Sequence, residues 1–301
     1  VFPVVLGLLG LGLALRKAAA VSGLPGALVE AMLGMVMGLW AFATLALLAK
    51  ILRRPAVVLA DLKVLPGRAG MAAATMCGMA VAAVIGPYAP AFATGLVVVA
   101  LALHAALAIA LIWILLRGPK EARGVNPSWH LSFVGCIVAA VPLAQLGHLD
   151  WAAWVFWLTL PIAAAIWGLS LAQMVARIPP APLRPLLAVH LSPAALFCGV
   201  AVTLGQGQLA FSFALFATVI FLALIASARW IGAAGFSPLW GGITFPLAAY
   251  CSALIGMGGV WTQAGLALLV VAALVIPTVA WKVLKLWPGG RLAAKTNAAE
   301  A

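Results

Sequence analysis

The chain has 301 residues, 66% of them hydrophobic and 7% charged, with a formal net charge of +12. No soluble domain of this length carries so much apolar side chain on its surface, so a water-soluble globular protein is excluded and the solvent must be lipid. The excess of Lys and Arg would suggest nucleic acid in a soluble chain, but here these residues fall at the ends of apolar segments, the pattern of orientation in a bilayer, and nucleic acid is not an expected partner.

Val1 already stands in an apolar run, so the sequence is expected to begin inside a helix whose first turns precede it, and no stretch reads as a signal peptide. A helical crossing needs roughly 20 apolar residues. Cutting at Pro, Gly and charge clusters gives ten apolar segments, near 1–15, 25–52, 70–86, 91–116, 129–146, 151–175, 185–204, 209–231, 239–254 and 260–286. No run alternates with period two, which excludes a lipid-spanning barrel and leaves helices as the way to satisfy the backbone in hydrocarbon. The expected fold is an all-α membrane protein, a single transmembrane domain over 1–288 followed by a cytoplasmic tail, 289–301.

The basic residues alternate from loop to loop, as orientation by positive charge requires. Lys50, Arg53, Arg54, Lys63 and Arg68 follow the second segment, and Arg117, Lys120 and Arg123 follow the fourth. Arg177 and Arg184 follow the sixth, Arg229 the eighth, and Lys282, Lys285, Arg291 and Lys295 the tenth. The other side holds Arg16 and Lys17. Both termini are therefore expected in the cytoplasm, with five helical hairpins turning on the far side, the last four at Gly86-Pro87, Gly147-His148, Gly205-Gln206 and Gly256-Met257. Trp129, Trp151, Trp230, Trp261 and Trp281 near segment ends fit an interfacial belt. Segments three, five, seven and nine are shorter than the even ones, which suggests an inner set of odd helices wrapped by longer, tilted even ones.

The segments hold no acid, base and nucleophile constellation, no P-loop and no zinc-binding or esterase motif, so an enzyme is not expected, nor a cofactor or metal. Glu30 is the one carboxylate well inside an apolar segment and is read as interfacial or hydrogen-bonded. His104 and His190, lacking a partner at helical spacing, are read as packed histidines. Asp61, Glu121 and Asp150 fall in loops, and Cys77, Cys136, Cys198 and Cys251 show no ligand spacing. The informative residues are on the odd segments: Phe2-Pro3, Val141-Pro142, Ser192-Pro193 and Phe245-Pro246, with Gly78 in the third. Proline and glycine loosen helices, so their shared zone could form a pore. Weak hydroxyl and backbone dipoles near Thr244, Ser192 and Thr75 would let an anion leave where a fixed charge would hold it.

Four stretches carry a resemblance. Phe2-Pro3 with the run from Leu6 to Arg16, which includes Gly7, the Asn126 to Leu131 stretch N-P-S-W-H-L, L-S-P-A-A-L-F-C from Leu191 to Cys198, and W-G-G-I-T-F-P-L-A from Trp240 to Ala248 resemble, in that order, the TehA and slow-type anion channel family. The resemblance implies a homotrimer of a bacterial inner membrane, each protomer with its own pore of five inner helices in quasi-fivefold arrangement. It implies a phenylalanine gate at Phe245, with Phe2, Pro3, Gly7, Gly78, Pro142, Ser192, Pro193, Thr244, Pro246 and Cys251 at or near the path. It further implies small inorganic or organic anions as permeants, among them chloride, nitrate and dicarboxylates such as malate, and links to sulfite export and tellurite resistance. Pro3 and Pro246 stand where the TehA pattern has glycine. The alternatives are a coupled carrier or exporter of dicarboxylate, sulfite or tellurite, which would need a buried titratable group such as Glu30, and a non-transporting subunit of a larger assembly.

Overall fold

A computed structural model describes residues 1–119 and 123–296. Lys120, Glu121 and the end of the expected tail lie outside the described residues. The chain is helical throughout: α1 (Phe2–Ser22), α2 (Gly26–Arg53), α3 (Val57–Lys63), α4 (Leu65–Ile85), α5 (Pro90–Arg117), α6 (Ile137–Gln145), α7 (Leu149–Ala176), α8 (Leu191–Thr203), α9 (Gly207–Ala226), α10 (Ala228–Ile231), α11 (Gly241–Met257), α12 (Gly259–Leu284) and α13 (Arg291–Thr296). Tight 3-10 turns lead into α8 (Ala181–His190) and α11 (Pro238–Trp240), and a wide π turn (His130–Val134) leads toward α6.

Among the described residues nine helices are long and apolar enough to cross a membrane, and the fifth expected segment is a shorter apolar helix, His130–Gln145. This segment stays close to its expected bounds, 129–146, but is irregular within them. Met76 and the His104 ring crowd Gly135 so closely that no side chain fits there, and the chain passes them in the wide turn and restarts as α6. The length contrast is also narrower than expected: the seventh segment, Ala181–Thr203, is longer than α9. Burial separates the two sets instead. In the first, third, seventh and ninth segments 56% to 72% of the most apolar stretch is buried, against 17% to 33% in α2, α5, α7, α9 and α12. Met35, Phe42, Leu103, Trp154, Val219 and Leu274 stand on exposed faces of the latter set, a continuous apolar surface that lipid would cover.

Each inner segment packs against the helix that follows it, and the inner segments also touch one another in a closed order, α1 to α4, α4 to α6, α6 to α8, α8 to α11 and α11 back to α1. Turns between partners use left-handed glycines at Gly23, Gly147, Gly205 and Gly258, a conformation that costs other residues about 1 kcal/mol or more. The last turn falls just after the expected Gly256-Met257, because α11 continues to Met257.

Helix α1 runs to Ser22, past the expected end at residue 15. The cations that marked a loop are inside it, because their charges find partners. Arg16 Nε and Nη2 donate to the two Glu30 oxygens on α2 at 2.7 and 2.6 Å, and its other donors reach the carbonyls of Ala83 and Val84 at the end of α4. This fork-to-fork pairing ties three elements together. The inner segments carry charge at their ends, with Arg16 and Lys17 in α1, Arg68 in α4 and Arg184 before α8 within helical segments, while their middles are uncharged. Arg68 and Arg184 close corners, donating to the carbonyls of Leu62 and Pro179.

Candidate functional site

The first residues of all five inner segments meet at one cavity of about 710 Å³, lined by Phe2 and Pro3, Pro66 and Gly70, Leu131, Leu186, and Leu239 and Gly242. These segments therefore run in the same direction. Lys50 and Asp61, paired at 2.8 Å, stand in the wall, and Trp287, Gly289, Leu292 and Thr296 of the C-terminal stretch complete it.

Inward of this cavity α1 and α11 lie side by side, and small residues on α1 allow it. A methyl group on Gly7 would overlap the Thr244 side chain, and one on Gly10 would lie 3.1 Å from both Phe245 Cδ2 and Ala248 Cβ. The Phe245 ring is thus seated against the bare backbone of Gly10, 7% exposed. The glycine against the ring in this chain is Gly10, and Pro3 lines the cavity. Sequence inspection passed over Gly10 because nothing local marks a contact between residues so far apart in the chain. Its spacing of three from Gly7, which puts both on one helix face, was the available signal.

The other expected residues are distributed unevenly around this point. Phe2 and Pro3 line the cavity. Pro3 stands in the first turn of α1, where a missing N–H removes no internal bond; Pro193 lies inside the continuous segment Ala181–Thr203, where its 3-10 stretch passes into α8. Pro142 and Pro246 do lie inside α6 and α11. Gly78 faces Ala100 on the outer helix α5, which places it on a packing face between α4 and α5. Cys251 is packed with Leu11, Ala14, Leu269 and Ile276, between α1 and α12. Cys77 and Cys198 are buried, Cys136 partly so, and all four are free thiols.

The hydroxyls expected to offer weak dipoles are committed elsewhere. Thr244 Oγ1 donates to the Gly241 carbonyl at 2.7 Å, Ser192 Oγ to Val189 at 3.2 Å, and Thr75 Oγ1 to Ala72 at 2.8 Å while also meeting His104 Nδ1 at 2.7 Å. A hydroxyl whose proton is engaged by a helix carbonyl presents lone pairs, which an anion avoids. At these three positions the hydroxyl protons are thus engaged by helix carbonyls.

Two histidines read as separate are in contact. His130 Nε2 lies 3.0 Å from His190 Nδ1, and His190 Nε2 lies 3.0 Å from Ser170 Oγ on α7. His190 therefore has the partner that spacing did not reveal, since the two rings belong to different segments. Trp167 packs on His130 and donates to the His190 carbonyl at 3.2 Å. Glu30 is hydrogen-bonded, as expected. In the turn beyond α4, the Tyr88 hydroxyl is held above its ordinary pKa by its hydrogen bond to Glu30. Asp150 lies in the first turn of α7, where a carboxylate faces the positive end of the helix dipole. Among the described residues no group of three His, Cys, Asp or Glu could hold a metal ion.

No curated protein gives a significant match to the chain. A family model described as SLAC1, voltage-dependent anion channel, matches residues 1–285, which covers every membrane helix in the bundle, and the chain belongs to this family of anion channels.

Proposed function

We propose that this protein is a gated conduit for small anions, in which the side chain of Phe245 closes a path along the five inner segments. The observation that carries the reading is the position of the ring: it lies against Gly10 just inward of a cavity that all five inner segments share. The closed order of contacts among those segments supports a quasi-fivefold arrangement around the path. Their middles carry no Lys, Arg, Asp or Glu, which suits a conduit that selects by sign and size without trapping its ion. A bare ion in hydrocarbon is too costly to pass, so the path must admit water when open. Rotation of the ring about its side-chain torsions, away from Gly10, would allow this.

Basic loops at the cavity end would raise the local anion concentration over about 8 Å at physiological salt. By the positive-charge rule that end is cytoplasmic, as are both termini; the resemblance to TehA points to a bacterial inner membrane. Fluorescence of a reporter fused to the C-terminus tests the side. A homotrimer is the proposed assembly, tested by native mass spectrometry. Chloride, nitrate and dicarboxylates are the candidate permeants, with sulfite and tellurite as further oxyanions, and reversal potentials in mixed-anion solutions rank them. Glu30, the group a proton-coupled carrier would require, is held by two bonds to Arg16, which favours the channel reading over the carrier. The deciding experiment is Phe245→Ala in planar bilayers: anion conductance above the parent's is expected, and conductance equal to the parent's rejects the gate.

A further inference from the structure

Arg16 and Lys17 are neighbours near the end of α1, away from the cavity, yet their charges meet different fates. Arg16 is neutralised by Glu30, whereas Lys17 forms no ion pair among the described residues. Its Nζ turns inward to α11, 3.4 Å from the Ser252 carbonyl and next to Gly256. A charge-assisted bond is usually about 2.7–2.9 Å long, and an ammonium has three donors, so most of this group's capacity is unused. α8 and α11, the inner helices nearest to it, contain no Asp or Glu; the neighbouring titratable group is the Cys198 thiol on α8.

The level of this charge follows from helix geometry. Gly10 meets Phe245 and Ala248, and Lys17, seven residues on, meets Ser252, seven residues beyond Phe245. Seven residues are two turns, a rise of about 10 Å, so α1 and α11 carry matched stripes with the ring at one level and the ammonium two turns further along. On α11 that stripe continues from Phe245 through the small residues Ala249, Ser252 and Gly256. Ser252 differs from Thr244, Ser192 and Thr75 in that its hydroxyl forms no hydrogen bond among the described residues, and its proton is available.

We infer that the Lys17 ammonium and the Ser252 hydroxyl form a holding site for a small inorganic anion, of halide or nitrate size, on the side of Phe245 opposite the basic loops. An arriving anion replaces the long contact to the Ser252 carbonyl with a charge-assisted one and receives the hydroxyl proton as a second donor. A single cation two turns from the ring concentrates the ion without binding it so tightly that it cannot leave. The inference rests on the conduit reading and gives the path a binding step on that side.

The test is conductance in excised patches or oriented bilayers, with chloride and then nitrate titrated separately on each face. Lys17→Gln is expected to raise the half-saturating concentration about 5- to 10-fold on its own face and leave the other unchanged, since one unit charge near contact distance in a partly hydrated site is worth roughly that factor. Lys17→Arg should stay within about 2-fold of the parent. A helix-end role alone would alter thermal stability without a one-sided change in half-saturation. Half-saturation unchanged on that face in a conducting Lys17→Gln variant overturns the inference and leaves the conduit standing; a parent chain that passes no anion overturns both. If Lys17→Gln does not fold, chloride-dependent thermal stabilisation is compared between the parent and Lys17→Arg/Ser252→Ala, and equal stabilisation overturns the site.

Discussion

Gly10→Ala is the sharpest probe of how Phe245 is seated. The added methyl would lie 3.1 Å from Phe245 Cδ2, 3.4 Å from Cε2 and 3.1 Å from Ala248 Cβ, where carbon atoms prefer about 3.5–4.0 Å. The ring and the facing helix must each yield by about half an ångström, and such overpacking costs about 1–3 kcal/mol. Alanine also recovers about 1 kcal/mol of helix propensity over glycine, so the net change expected in the parent is a destabilisation of about 0–2 kcal/mol. In a Phe245→Ala background the ring contacts vanish and the one to Ala248 remains, so the same substitution should move by about 1 kcal/mol toward stabilisation. The assay is a double-mutant cycle of unfolding in detergent, in which neighbouring residues give coupling energies of about 0.5–3 kcal/mol. Strict additivity, with Gly10→Ala costing the same in both backgrounds, would refute the seating of the ring on Gly10 and with it the geometry of the closed path.

Three further outcomes follow from the same contacts. Glu30→Gln breaks a bidentate pair whose side chains are 23% and 34% exposed; solvent screening limits its cost to about 1–2 kcal/mol in thermal unfolding, and anion conductance should persist, whereas loss of a proton-dependent flux would support a carrier. His190→Leu leaves His130 Nε2 and Ser170 Oγ without their partner and should cost about 1–3 kcal/mol, while the double change His130→Leu/His190→Leu, which removes both polar ends, should cost less than the sum of the single ones; simple additivity in the melting temperatures refutes the pairing. Leu292→Ser unseats α13 from Val4, Val279 and Val283, and a cysteine placed at Gly242 in the cavity should then react faster with a membrane-impermeant maleimide; an unchanged rate shows that α13 does not cover the mouth.

Much of the helical layout is legible in the chain because hydropathy and punctuation by Gly and Pro are local signals. Where the reading fails, a distant partner has changed the local rule. Arg16 looks like the end of a span until Glu30, on the next helix, satisfies it. The fifth segment looks like a regular helix until the wide turn His130–Val134, beside Gly135 with His104 and Met76 close to it, interrupts it. The hydroxyls of Thr244, Ser192 and Thr75 look like ligands for an anion because sequence cannot tell which way a hydroxyl proton points; inside a helix the nearby carbonyl usually takes it. Ser252 escapes this on the structure alone, and no motif had marked it.

A path without fixed charge at its centre needs charge at its ends, and the two ends of this molecule differ in kind. At the cavity end the cations are spread over loops and one, Lys50, is already neutralised by Asp61, so their effect on an approaching anion is a diffuse field that salt screens. At the other end the sequence supplies two adjacent cations, and Glu30 removes one of them. What remains is a single ammonium, held inward on the same stripe of α1 as Gly10. Ionic strength should therefore act unequally on the two faces: added inert salt should weaken entry from the loop face more strongly than entry from the Lys17 face, where the anion meets its charge at contact distance. Equal salt sensitivity on both faces would mean that the Lys17 ammonium acts as one more member of a screened field, with no contact site at all.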